Sequence, residues 1–115
     1  FPNSLQEIQD SAFSWCEKLE FVVLNEGLLT LGEMVFTNTA LTEVIVPSTV
    51  ENFSDYTFFG ADSITKVKFE GSVPRNYIPL PEFPDKYRPD FTIYFHEGAD
   101  GFTLPSWNGY PTATW

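Results

Sequence analysis

The sequence predicts a repeat solenoid, mainly β with little helix: short parallel strands on a concave face, short helical turns and loops on the convex side. Three observations predict it. A dipeptide ending in Phe recurs as Ala12-Phe13, Val35-Phe36 and Thr57-Phe58. Two apolar residues precede each copy: Leu5 and Ile8, then Leu28 and Leu31, then Val50 and Phe53. A Leu-x-x-Val-x-Leu-like signature follows each copy: Leu19, Val22 and Leu24; Leu41, Val44 and Val46; Ile64, Val67 and Phe69. The period of 22 to 23 residues suits one supersecondary unit and is too long for a heptad.

The length variation supports this alignment. Positions from Leu5 to Cys16 recur after 23 and then 22 residues, whereas positions from Leu19 to Leu24 recur after 22 and then 23. One residue missing beside Ala40 accounts for both. It falls between Thr39 and Leu41, where the other repeats read Cys16-Glu17-Lys18-Leu19 and Ala61-Asp62-Ser63-Ile64. A deletion in such a corner leaves strand alternation intact, whereas one inside the strand reverses which side chains face the core.

Each element of the repeat follows. Phe21-Val22-Val23-Leu24, Glu43-Val44-Ile45-Val46 and Lys66-Val67-Lys68-Phe69 read as strands, short, β-branched or aromatic, with alternate residues inward. Pro47, or Asn25-Glu26-Gly27, ends the strand and turns the chain. A short extended piece carries Leu5 and Ile8 or their equivalents. The Ala-Phe dipeptide opens a brief helical turn, too short for a full helix. Stacking the units piles Phe13, Phe36 and Phe58 into a ladder.

Residues 1–69 thus hold about three repeats. Phe1 takes the column of Leu24, Val46 and Phe69, and Pro2 matches Pro47, so the array is expected to continue upstream of Phe1. In residues 70–90, Pro74, Pro79, Pro81, Pro84 and Pro89 exclude an ordinary repeat helix and predict an irregular loop. Residues 91–115 read as a final strand and a cap. Phe91–Phe95 restores alternation, with Ile93 and Phe95 in the columns of Val67 and Phe69. The aromatics Phe102, Trp107, Tyr110 and Trp115 are expected to lie over the end of the core.

Composition narrows the function classes. At 115 residues the chain is one domain at most. A formal charge of −10 and a pI near 4.2 argue against nucleic acid and against anionic membrane surfaces, because phosphate binding needs clustered Lys and Arg. With 43 % hydrophobic and 17 % aromatic residues, twelve of them Phe, the chain is core-forming and not disordered. The first residues carry no basic leader segment, and no apolar run reaches membrane-spanning length, so membrane insertion is not expected. The single cysteine allows neither an internal disulfide nor a Cys-based zinc site.

The segment from Pro2 to Leu19, Pro-Asn-Ser-Leu-x-x-Ile-x-x-Ser-Ala-Phe-x-x-Cys-x-x-Leu, resembles the BspA-type leucine-rich repeat. The next copies are degenerate: Gly27 stands at a serine position, Val35 and Thr57 replace the alanine, and Thr39 and Ala61 replace Cys16. The tail from Thr92 to Phe102, with Trp107-Asn108-Gly109-Tyr110, looks like the closing segment of such arrays in Gram-positive gut bacteria. The resemblance implies a leucine-rich-repeat-type solenoid on a secreted, cell-surface or wall-associated bacterial protein with protein or glycan contacts. No catalytic residue belongs to the family pattern, so it implies neither an enzyme nor a cofactor.

There is no phosphate-binding glycine loop, no His-Glu-x-x-His and no calcium-loop pattern. His96, the only histidine, reads as a strand-end or capping residue. Cys16 reads as small, buried and inert, because Thr39 and Ala61 fill its column. The carboxylates are scattered over exposed positions, not paired for glycoside chemistry. Asn52-Phe53-Ser54 fits a glycosylation sequon, but Phe53 lies in a core column.

The concave face is the surface that invites a binding hypothesis. Its outward columns hold Phe21, Val23, Glu43, Ile45, Lys66, Lys68, Thr92 and Tyr94. Phe21, Val23 and Ile45 form an apolar patch beside a lysine pair on an otherwise acidic chain, and exposed apolar patches mark interaction sites. The same patch, or an open N-terminal face, also suits a homo-oligomer contact. Two function classes follow: a recognition module for a protein or glycan ligand, or a structural spacer that only projects other domains.

Overall fold

The computed structural model describes residues 4–79 and 91–115. The columns assigned to Phe1 and Pro2, and the prolines at 81, 84 and 89, lie outside the described residues. Nine strands are present among those described: β1 (Glu7–Ile8), β2 (Thr30–Leu31), β3 (Glu43–Val46), β4 (Asn52–Ser54), β5 (Lys66–Phe69), β6 (Asn76–Ile78), β7 (Thr92–Phe95), β8 (Ser106–Trp107) and β9 (Tyr110–Thr114). They form two sheets, ordered β1-β2-β4-β6 and β3-β5-β7-β9-β8. Every pairing is parallel except β8 with β9. This is a β-solenoid: the pairs β2/β3, β4/β5 and β6/β7 each contribute one short strand to each sheet, and consecutive turns run the same way.

The second sheet is the repeat strand of the sequence reading. Val44 pairs in register with Val67 and Val67 with Ile93; Val46 pairs with Phe69 and Phe69 with Phe95. All six are buried, so alternate residues line the core at every turn.

The opposite wall is built from Ile8, Leu28, Leu31, Val50 and Phe53, which are also buried. Between the walls stands the phenylalanine ladder. Phe13 and Phe36 stack at 6.2 Å with rings 7° from parallel, and Phe36 and Phe58 stack at 5.8 Å and 17°. Phe36, in the middle, is fully enclosed. Phe53 leans on Phe58 and meets Phe69 edge-on, joining the ladder to both sheets.

The convex side departs from the expected helical turns. Among the described residues only Asp55–Phe58 is helical, as a 3-10 turn whose start is capped by the Ser54 hydroxyl accepting from the Tyr56 N–H. The first two copies are turns bonded to their neighbours instead. Ser11, Phe13 and Trp15 donate their N–H groups to the carbonyls of Glu33, Val35 and Thr37, and Asn38 donates to Gly60. This ladder satisfies backbone groups that a helix would satisfy internally. The corner after it is left-handed at Trp15 (φ 65°), Asn38 (φ 54°) and Gly60 (φ 75°), one column in three turns. Glycine at position 60 also avoids a contact, since a Cβ there would lie 2.9 Å from the Thr37 methyl.

Two substitutions of the repeat consensus are explained by their partners. Thr57, at an alanine position, is fully buried, and its hydroxyl donates to the Gly32 carbonyl at 2.8 Å. Thr39, in the Cys16 column, donates to the Phe36 carbonyl at 3.0 Å. Buried hydroxyls are tolerated when paired in this way.

Two readings need correction. Phe21–Leu24 keeps the expected alternation, with Leu24 buried and Phe21 and Val23 exposed, but it is not a strand. Among the described residues no backbone hydrogen bond joins it to Glu43–Val46. It belongs to the outermost described turn, with a described neighbour on one side only. In the region read as irregular, Asn76–Ile78 is strand β6, paired with β4 so that Tyr77 faces Phe53. Pro74 sits buried just ahead of it.

A polar ladder runs along the first sheet. Asn52 donates through Nδ2 to the Thr30 hydroxyl at 2.9 Å and accepts from Asn76 Nδ2 at 2.7 Å. Behind it the Tyr77 hydroxyl donates to the buried Asp55 carboxylate at 2.5 Å. Burial first, and the bond to Asp55 second, push the Tyr77 phenol far above its ordinary 10.0. Tyr77 also packs on Phe53 and Trp107, tying the third turn to the C-terminal segment. There Trp107 and Tyr110 are buried, while Phe102 lies over Phe69 and Phe95.

Phe36→Ala is expected to remove about 3–5 kcal/mol of stability, read as a large fall in Tm beside the exposed control Glu33→Ala; equal shifts would contradict the ladder. A second prediction concerns pH. Because the folded state raises the Tyr77 pKa, its contribution is complete below the ordinary 10.0 and declines as pH rises above it. The stability gap between wild type and Tyr77→Phe in urea should therefore shrink between about pH 8 and about pH 11; a constant gap would contradict this pairing.

Candidate functional site

The outward residues of the second sheet form two rows across the strands. One row holds Glu43, Lys66 and Thr92; the other holds Ile45, Lys68, Tyr94 and Ala113. Repeat spacing places Phe21 beside Glu43 and Val23 beside Ile45, at the same end of both rows. Parallel in-register pairing is what aligns them, since inward neighbours fix which residues point out. The structure thus places six of the eight sequence-predicted residues on one face by strand register; Phe21 and Val23, on the extended Phe21–Leu24 segment, are exposed and are set beside them by repeat spacing alone.

The face is apolar at one end and charged and aromatic at the other. Phe21 is 78 % exposed, Val23 69 % and Ile45 40 %, an unusual amount of open apolar surface for three positions that repeat spacing sets side by side. At the other end the Lys68 ammonium sits 2.6 Å from the Glu43 carboxylate. The same ammonium lies 5.9 Å from the Tyr94 ring centre and 5.3 Å from that of Trp115. A cation over two aromatic faces and beside a carboxylate is held in place by attractions of the same sign. Lys66 makes no ion pair among the described residues.

Trp115 is the member of this face that sequence reasoning missed. Expected over the end of the core, it is instead 40 % exposed and lies against Lys68. Its N–H donates to the Phe95 carbonyl at 3.1 Å. The His96 ring stacks on its ring at 4.2 Å, and His96 Nδ1 lies 2.9 Å from the Trp115 carbonyl, the geometry of an Nδ1–H donor. The available signal was alternation along β9. Thr112 pairs with the inward Ile93 and Ala113 with the outward Tyr94, which puts Trp115 outward as well.

Other sites resolve as structure. Cys16 is exposed, contrary to the buried position expected for it, although Thr39 and Ala61 in the same column are buried. Cys16 lies in the first described turn, which has a described neighbour on one side only. Asn52 of the sequon is bonded through its amide on both sides within the polar ladder, Nδ2 to Thr30 and Oδ1 from Asn76. Among the described residues no group of three His, Cys, Asp or Glu could hold a metal ion, and no helix is long and apolar enough to cross a membrane. A groove of about 380 Å³ is lined by Ser48, Thr49, Glu51, Ser72 and Arg75.

Fold and face together define a leucine-rich-repeat-type solenoid whose recurring residues build a scaffold and whose outward residues differ at each turn. A family model described as BspA type Leucine rich repeat region (6 copies) matches residues 1–79, and the chain belongs to that family. Comparison with curated proteins and with solved structures finds no match. Repeats of this family are typically carried by surface proteins and are generally non-catalytic.

Proposed function

We propose that this chain is a non-catalytic, adhesin-like recognition module that binds a protein or glycan ligand through its concave face, on a secreted or wall-associated bacterial surface protein. The observation that carries the proposal is the open apolar cluster of Phe21, Val23 and Ile45 beside the Lys66 and Lys68 pair on a chain of net charge −10. Solenoids use such faces because the stacked strands present a broad, rigid and solvent-facing surface. Apolar side chains left in water gain free energy when a partner covers them.

The competing reading is a spacer with no ligand of its own. It draws on the parallel stacking, which allows turns to be added without changing the fold. The two readings separate on one experiment. The double variant Phe21→Ser, Ile45→Ser should lose binding to panels of extracellular-matrix proteins and glycans while keeping the wild-type circular dichroism spectrum. Binding that survives both substitutions would refute the concave-face assignment, and a wild-type chain that binds nothing would favour the spacer.

A further inference from the structure

We propose that the ligand of the concave face is an extended protein segment carrying an apolar side chain and a carboxylate two residues apart, the first seated on Phe21, Val23 and Ile45 and the second on Lys66. The proposal rests on the concave-face reading above and narrows its ligand to one chemical class.

The available groups argue against a sugar. Carbohydrate recognition needs unpaired hydrogen-bonding groups close around an open aromatic ring, and the open ring here, Phe21, has aliphatic residues beside it. The rings at the charged end are already in use: Trp115 carries His96 against its ring and Lys68 over it, and Tyr94 lies under the same lysine. The Glu43 carboxylate is held by Lys68. What remains open at the other end is Phe21 flanked by the aliphatic Val23 and Ile45, which offer no hydrogen bonds from their side chains. That end suits an apolar side chain of a protein.

Charge supplies the second half. Glu43 is committed to Lys68, so the two cancel locally. Lys66, exposed and without an ion pair among the described residues, is left as an uncompensated positive charge beside the apolar cluster. A carboxylate placed there completes the pairing, whereas a basic residue meets repulsion. The spacing follows from the sheet. Neighbouring strands are about 4.8 Å apart and same-face residues along a strand about 6.7 Å apart, so Ile45 and Lys66, diagonal neighbours, are about 8 Å apart at the backbone. Two residues of an extended chain span about 6.6 Å, and side-chain reach covers the rest.

The test uses the 115-residue chain against an array of immobilised peptides of about 12 residues. They carry Leu or Phe with Asp or Glu two positions away, with matched sets replacing the acid by Lys or Asn or moving it one position. A glycan array is run in parallel. The expected result is binding about tenfold tighter for the acid-bearing set than for the Lys or Asn sets. In Lys66→Glu, whose altered side chain is exposed, that preference should vanish while Tm stays unchanged. An absent acid preference, or one that persists in Lys66→Glu, overturns the proposal. If neutral peptides or glycans bind and Phe21→Ser, Ile45→Ser abolishes that binding, the concave face remains the site and only the ligand class is wrong. If nothing binds, or binding ignores all three substitutions, both proposals fail.

Discussion

The parallel, in-register stacking of inward side chains is the constraint from which the rest of this molecule follows. Each core column must present an apolar group at the same height in each turn, or the sheets on either side lose their pairing. The chain can therefore change length only at corners. Register spacings show this: Thr30 pairs with Asn52 after 22 residues, Glu43 with Lys66 after 23, Asn52 with Asn76 after 24, and Lys66 with Thr92 after 26. Insertions and the deletion beside Ala40 are absorbed between strands, and the columns keep their identity. Burial of the columns supplies the driving force, while the backbone ladders fix which residues meet.

The same constraint decides which polar groups the interior accepts. Thr57 and Thr39 are buried because a carbonyl of the adjoining backbone is positioned to receive each hydroxyl. Asp55 is buried where Tyr77, one turn further on, reaches it. The Thr30–Asn52–Asn76 ladder repeats a side-chain bond from turn to turn, the polar counterpart of the phenylalanine stack. Except for Thr39, whose bond closes its own corner, each case is a bond between turns, so polarity inside this solenoid largely serves the stacking.

What could be read from the sequence was whatever recurs. The columns, the phenylalanine ladder and the placement of Ile93 and Phe95 came from spacing, because stacking demands that spacing. What escaped depends on neighbours. A repeat sequence does not say whether another turn covers it, and so Cys16 and the Phe21–Leu24 segment, both in the first described turn, were expected to behave like their buried or paired equivalents. Strand β6 was hidden by its prolines and by a 24-residue offset from β4. The eight face residues were legible from alternation alone, but their arrangement was not. That Lys68 is held by Glu43, Tyr94 and Trp115, leaving Lys66 exposed, needed the third dimension. The outward place of Trp115 escaped because Pro111 obscured strand β9, which ends one residue before it.

Residue-resolved amide hydrogen exchange under native conditions tests the central claim most directly, because protection reports local pairing and burial. If in-register stacking organises the fold, the amides of Val67, Lys68, Ile93 and Tyr94, on strands flanked by others on both sides, should exchange most slowly. Those of Phe21–Leu24, which make no ladder with Glu43–Val46, should exchange fastest among the repeat segments. Uniform protection across all four segments, or slow exchange at Phe21–Leu24 with fast exchange at Val67 and Ile93, would contradict the account.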